Sequence, residues 1–179
     1  MRNLAKFIFF KILGWNIVGR FDKEVKKCMV IVAPHTSWYD FLIGVLVRKI
    51  INLQVNFVGK KELFNPPIGW YFKWMGGAAL DRSPGQQKVD AIAEIFREKE
   101  IFRLALSPEG TRKKTKKWKT GFYYIALKAN VPIILVAFDY KSKTVKISEA
   151  FHPTNNFEKD FIEIIKFYDG VQGKIPENF

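Results

Sequence analysis

The sequence predicts a single α/β domain with a central, largely parallel or mixed sheet flanked by helices. The chain has 179 residues, which is the usual size of one domain. Hydrophobic residues make up 48% of it and aromatic residues 16%, enough for a sizeable core. Short apolar runs alternate along the chain with segments of helical length, the order that layered α/β domains show.

Short apolar runs bounded by turn residues predict the strands. "CMVIVAP" at 28–34 is the clearest of them, because a continuous apolar run of this length is typical of a strand buried on both faces. "VPIILVAFDY" at 131–140 has the same character. The predicted strands, in order, are 28–34, 53–59, 77–81, 101–107, 131–140 and 144–150.

Apolar periodicity and capping residues predict the helices. Residues 83–100 have Ser83 at the N-cap and Pro84 at the first helical position, followed by apolar residues on one face. Residues 155–170 carry an apolar stripe that is most simply explained by core packing. The predicted helices are 37–50, 65–76 (a Pro-initiated helix or loop), 83–100, 120–130 and 155–170.

The first 20 residues form a separate unit in this interpretation, ahead of the main domain at 21–179. Lys6 and Lys11 interrupt the apolar stretch and no small-residue cleavage site follows, which argues against a signal peptide. An amphipathic helix is predicted, either lying at a membrane interface or packed on the core. Its apolar face would contain Leu4, Ile8, Ile12 and Trp15. We expect no membrane-spanning segment.

Charge and composition restrict the choice of partner. The net charge of +13 favours an anionic partner: nucleic acid, an anionic membrane, a phosphorylated substrate or an acidic carrier protein. The single Cys28 excludes an internal disulfide, and we expect it to be a small core residue. One cysteine and two histidines argue against a zinc site, so no metal is expected.

The stretch "APHTSWYDFL" contains the first candidate for catalysis. His35 follows a predicted strand, and ligands gather at the carboxyl ends of strands in α/β sheets. Asp40 lies about one helical turn further on, where it can hold one ring nitrogen of His35 and leave the other to act as a base. Asp40 also has capping-box spacing from Ser37, so a purely structural role is the alternative. His152 has no such setting and is interpreted as a loop residue.

A second stretch, "LSPEGTRKKTKKWKTG" at 106–121, suits the binding of an anion. Gly110 permits a tight turn, the Thr111 hydroxyl can donate, and Arg112 can bind a phosphate with its planar guanidinium. The basic residues at 112–119, which surround Trp118, are either a solvated loop or a contact for anionic lipid.

The order of these motifs resembles the four-block signature of the glycerolipid acyltransferases, the family of 1-acylglycerol-3-phosphate acyltransferases. The blocks are His35-x4-Asp40, "GGAALDR" at 76–82, "PEGTR" at 108–112 and "VPIILVA" at 131–137, within roughly residues 28–140. Four positions depart from the usual pattern and leave the identity of the acceptor open. They are Pro34, Ala79, Ser107 and Leu135.

The resemblance implies roles for the matching residues. His35 would be the general base and Asp40 its orienting partner. The acceptor's phosphate site would be formed by Arg82, Glu109, Gly110, Thr111 and Arg112, and Pro132 would support the wall of the site.

The resemblance also implies an activity: acyl transfer from acyl-CoA or acyl carrier protein to a lysolipid hydroxyl, without a cofactor. The first acceptor to consider is 1-acylglycerol 3-phosphate, and a lyso-aminolipid or another lysophospholipid is the alternative. We expect peripheral attachment to the cytoplasmic face of an anionic membrane and no nucleic-acid partner. A non-catalytic lipid-binding protein and a basic nucleic-acid-binding module are the competing hypotheses. Against the latter, no nucleic-acid-binding motif is recognisable.

Overall fold

Seven strands form one mixed sheet in the order β1-β7-β6-β2-β5-β3-β4. The computed structural model describes residues 2–74, 76–80 and 85–179. All pairings between neighbouring strands are parallel except β6 with β7, which is antiparallel. The strands are β1 (Asn16–Val18), β2 (Lys27–Ala33), β3 (Asn56–Lys60), β4 (Gly77–Leu80), β5 (Phe102–Leu106), β6 (Ile133–Asp139) and β7 (Thr144–Phe151).

Helices cover both faces of the sheet and produce three layers. They are α1 (Arg2–Lys6), which continues as a π-helix (Phe7–Ile12), α2 (Tyr39–Ile51), α3 (Gly69–Trp74), α4 (Gly85–Glu98), α5 (Gly121–Ala129) and α6 (Phe157–Lys166). Short 3₁₀ turns lie at Lys61–Phe64 and Pro176–Asn178. The α/β architecture predicted from the sequence is confirmed, and each predicted strand has a counterpart within a few residues of its expected bounds.

Alternate side chains of β2 explain why the sheet is buried on both faces. Met29 and Ile31 pack with α4, α5 and α6, whereas Cys28 and Val30 pack with α2 and the N-terminal helix. All four side chains are at most 5% exposed. Successive strand residues point to opposite faces, so a strand covered on both sides must be apolar throughout.

The N-terminal segment departs from the predicted amphipathic helix over residues 1–20. The helical part ends at Ile12, and β1 then joins the sheet edge beside β7. Phe9 and Trp15 are 0% and 5% exposed, so these two side chains follow the core-packing alternative. In the π-helix, Phe9 turns toward the core beneath α2, a register that 3.6-residue periodicity does not predict. Among the described residues, no helix combines the length and apolar character needed to cross a bilayer.

Candidate active site

Three neighbouring parallel strands end at the candidate site. Strand β2 lies between β6 and β5, and their carboxyl ends lead directly to His35, Tyr140 and Ser107, respectively. Parallel alignment brings these three chain segments to the same edge of the sheet, although they are far apart in the sequence.

His35 and Asp40 form the pair that the sequence predicts. Nδ1 of His35 lies 3.1 Å from Oδ2 of Asp40. An ionised carboxylate can only accept, so Nδ1 carries the proton and Nε2 presents a lone pair. The His35 side chain is 34% exposed and that of Asp40 2%. The His35 imidazole is therefore accessible to solvent, whereas the Asp40 carboxylate is buried.

Asp40 is fixed by three further donors. The backbone N–H groups of Thr36 and Ser37 each donate to Oδ2 at 2.9 Å, and the Tyr140 hydroxyl donates to Oδ1 at 2.7 Å. The bond from Ser37 has the geometry of the carboxylate half of a capping box, so Asp40 supports the start of the helix while it also bonds to His35. The Ser37 hydroxyl accepts from the Tyr39 N–H at 3.3 Å and thus contributes to the helix start.

Tyr140 is a site residue that the sequence analysis missed. It directly follows β6, and its ring packs edge-on against Trp15 with 4.8 Å between the ring centroids. Burial is the main cause that raises the pKa of its hydroxyl, and the bond to Asp40 raises it further. The hydroxyl therefore remains a proton donor to Asp40. In the sequence, Tyr140 lies 100 positions from Asp40, and no motif marks it.

Glu109 lies beneath the backbone of His35. Its carboxylate accepts the His35 N–H at 2.8 Å through Oε2 and 3.2 Å through Oε1, and the Ser107 hydroxyl at 2.8 Å. Glu109 is 4% exposed, and burial raises its pKa despite the hydrogen bonds from Ser107 and His35, which lower it. The first and third sequence blocks are thus joined by direct hydrogen bonds.

The loop after Glu109 is exposed. Gly110 has a φ of 64°, which favours glycine and agrees with the predicted tight turn. The Thr111 hydroxyl accepts the Lys113 N–H at 3.2 Å. Arg112 is exposed, and the described residues offer it neither a hydrogen bond nor an ion pair. Arg82 and the Ser83–Pro84 cap lie outside the described residues.

Trp118 does not belong to the exposed basic surface. Its ring contacts those of Tyr168, Phe161 and Phe179, with centroids 5.2, 6.2 and 6.5 Å away. Trp118 is half-buried by these rings, whereas the basic residues around it are exposed.

An apolar cavity of about 270 Å³ opens beside His35. It runs between α2 and the sheet, and its lining is almost entirely hydrophobic. Gly44 on α2 lies in its wall, next to Phe138 on β6. The residues that line its length include Val30, Val32, Val45, Val47, Leu53, Val55, Val136 and Ile147. Such a cavity suits an apolar chain whose polar end lies at His35.

Cys28 and His152 lie where the sequence analysis places them, in the core and in a loop. Cys28 is fully buried, and burial raises its pKa to about 12, so it is a core residue rather than a nucleophile. His152 is exposed directly after β7, in a loop. Among the described residues, no group of three or more His, Cys, Asp or Glu side chains is placed to hold a metal ion.

Comparisons with known proteins agree with these motifs. The 1-acyl-sn-glycerol-3-phosphate acyltransferase of Saccharomyces cerevisiae is 30% identical over 142 residues, 74% of this chain and 45% of that protein. The enzyme of the same name from Escherichia coli K12 is 29% identical over 134 residues, 71% of this chain and 53% of that protein. The chain thus spans about half the length of these curated relatives.

A solved structure shares the fold. The 1-acyl-sn-glycerophosphate (LPA) acyltransferase PlsC from Thermotoga maritima superposes with a TM-score of 0.61 at 21% identity, over 93% of this chain and 73% of that one. The family model described as Acyltransferase matches residues 16–139, a region that contains His35, Asp40 and Glu109 and ends one residue before Tyr140. The match extends over more than half of the sequence, and the chain belongs to the acyltransferase family.

Proposed function

We propose that the chain transfers a fatty acyl group from an acyl thioester to the free hydroxyl of a lysolipid. The observation that carries the proposal is the His35–Asp40 pair at the mouth of an apolar cavity. The names of the relatives make 1-acylglycerol 3-phosphate the first acceptor to test. Acyl-CoA and acyl carrier protein are the donors to compare, and the +13 charge suits both because both are anionic.

In the proposed reaction, Nε2 of His35 takes the proton of the acceptor hydroxyl as its oxygen attacks the thioester carbonyl carbon. Asp40 holds the ring tautomer and stabilises the imidazolium that forms. The tetrahedral intermediate then collapses, the carbon–sulfur bond breaks, and the imidazolium returns the proton to the departing thiolate. No covalent acyl-enzyme and no metal are needed for this sequence of steps.

Three backbone amides near the base are already engaged. The N–H of His35 donates to Glu109, and those of Thr36 and Ser37 donate to Asp40. We therefore assign them a positioning role and do not use them to stabilise the oxyanion. Glu109 acts in this proposal by fixing the backbone under His35, because a buried carboxylate would repel an acceptor's phosphate. Arg112, which is exposed and carries a planar guanidinium, is the described residue best suited to bind that phosphate.

We also propose peripheral attachment to an anionic membrane, on its cytoplasmic face. Leu4, Phe7 and Ile12 are 62%, 57% and 63% exposed on the N-terminal helix, and they are the side chains available for insertion. Replacing all three with serine should weaken binding to phospholipid vesicles. Ile162→Ser is the matched control, since Ile162 is 69% exposed on α6, at the opposite face of the sheet. Equal vesicle binding by all variants would contradict the anchor.

The test of the activity is product analysis with purified protein. A panel of lysolipids is combined with acyl-CoA or acyl carrier protein donors, and thiol release and acylated products are measured. His35→Ala should lower the rate about 10²–10⁴-fold, the range for a positioned general base. His152→Ala removes the other, exposed histidine and should leave the rate unchanged. Near-normal turnover in His35→Ala would refute the proposed base, and thiol release without an acylated lipid would refute the acceptor.

A further inference from the structure

A second groove lies on the other side of α2 from the acyl cavity. It has a volume of about 760 Å³ and is bounded by the π-helix, α2, the β6–β7 turn and the chain near residue 174. Its apolar lining comes from the two helical segments: Ile8, Leu13, Leu42, Ile43, Val45 and Leu46. The acyl-transfer mechanism makes no use of this groove.

The rim of the groove is positively charged. Lys141, Lys143 and Lys174 line it, and none of the described residues in the lining is acidic. Nζ of Lys174 lies over the rings of Tyr39 and Tyr140, 5.0 and 5.8 Å from their centroids. These contacts hold the ammonium group at the groove without neutralising it.

The other polar groups at the rim leave this charge uncompensated. Nζ of Lys143 donates to the Leu13 carbonyl at 3.2 Å, which positions the lysine beside the end of the π-helix. Asp139, next to the rim, is 6% exposed and accepts from the Ser142 hydroxyl at 2.6 Å and from the Lys141 N–H at 3.2 Å. Burial would raise the pKa of Asp139, but these hydrogen bonds and one from the Gln172 N–H lower it overall. The Asp139 carboxylate thus bonds to its own loop and to Gln172, and the described residues show no ion pair between it and the three lysines.

We propose that this groove binds an anionic membrane phospholipid, with the phosphate on Lys141, Lys143 and Lys174 and an acyl chain along the apolar floor. The positive charge of the lysines favours a phosphate group. The apolar floor favours a ligand that also has an acyl chain to bury, and thus a phospholipid over a free anion. The exposed apolar residues of the N-terminal helix, which borders the groove, place the bilayer on this side of the domain.

The bound lipid would lie directly behind the catalytic pair. Tyr140 lines the groove with its ring, while its hydroxyl donates to Oδ1 of Asp40 at 2.7 Å. Lipid binding therefore packs against the residue that positions Asp40. The proposal goes beyond acyl transfer, and its test uses no catalytic turnover.

The first experiment measures vesicle binding of the full chain. Vesicles of phosphatidylcholine are compared with vesicles that also contain phosphatidylglycerol, and the bound fraction is measured by sedimentation. The triple variant Lys141→Gln, Lys143→Gln, Lys174→Gln should lose the phosphatidylglycerol-dependent affinity by about fivefold for each lysine, the effect of one basic residue near an anionic surface. These lysines are exposed, so the thermal unfolding temperature of the variant should equal that of wild type. This measurement checks that the fold is intact.

The matched control removes the same charge from the basic loop: Lys113→Gln, Lys114→Gln, Lys116→Gln. These lysines are exposed, and the described residues provide them with no ion pair. The control should bind close to wild type. An equal loss in both triple variants would show that only net charge matters and would overturn the groove.

The second experiment locates the lipid. A photoactivatable phosphatidylglycerol in the vesicles should label the peptide from residues 42–46, which lines the groove and lies outside the proposed anchor, and the groove variant should lose this labelling. Labelling confined to other segments would overturn the proposal. Full displacement of the lipid by soluble glycerol 3-phosphate would also overturn it, because it would show a phosphate site that ignores the chain.

Discussion

Gly44 offers a direct test of whether the apolar cavity holds the acyl chain. It lies on α2 at the wall of the cavity, and a Cβ built there would meet only Cζ of Phe138 at 3.8 Å, an ordinary van der Waals contact. Gly44→Ala should therefore fit without displacing a neighbour. In a helix interior it should stabilise the protein by about 0.5–1 kcal/mol.

Gly44→Phe places a ring in the cavity of about 270 Å³ and should exclude part of a long acyl chain. Burial of one methylene contributes about 0.8 kcal/mol, so each methylene that the new ring excludes from the cavity should lower kcat/KM about fourfold. Short acyl donors should react as before, because they do not reach the ring. The optimum should therefore shift to shorter chains.

The assay compares kcat/KM across a series of acyl-CoA donors of increasing length for wild type, Gly44→Ala and Gly44→Phe. Thermal unfolding of each variant separates a blocked cavity from a damaged fold. Gly44→Leu, with a smaller side chain, should give an intermediate shift. A folded Gly44→Phe variant with the wild-type chain-length profile would refute the assignment of the cavity to the acyl chain.

Three other predictions follow from the buried carboxylates. Asp40→Asn keeps an oxygen acceptor for the neighbouring N–H groups but loses the charge that stabilises imidazolium, so kcat should fall more than KM changes; a wild-type kcat would contradict the pair. Glu109→Gln should retain activity and should be more stable than wild type at neutral pH. Burial raises the pKa of Glu109, so the wild-type native state loses stability as the pH rises through that pKa. Denaturant titrations at several pH values should show this decrease in the free energy of unfolding for wild type and not for the variant. Asp160→Asn should lose about 1–3 kcal/mol, because its carboxylate accepts from Tyr123 at 2.7 Å and twice from Thr154. Burial would raise the pKa of Asp160, but these bonds lower it overall, so wild-type stability should fall as the pH drops below the ordinary value of 3.8 and the variant should show a flatter acid limb.

The sequence alone determined the elements and the proximity of His35 to Asp40, because both are local properties. A strand buried on both faces must be apolar throughout, so the apolar runs at 28–34 and 131–140 can be recognised as strands from the sequence. His35 and Asp40 are five positions apart at a strand–helix junction, and that spacing is enough to bring their side chains together. The order of the four motifs then indicated the family, which the comparisons confirm.

Tertiary structure decided what depends on partners distant in the sequence. Tyr140 reaches Asp40 across 100 positions, and Glu109 reaches the His35 backbone across 74. These contacts exist because β6, β2 and β5 lie side by side and in parallel, an arrangement that no single motif encodes. The burial of aromatic side chains also depends on contacts with residues distant in the sequence. Trp118 lies in a basic run but packs on Tyr168, since the fold of the whole chain determines which aromatic rings meet water.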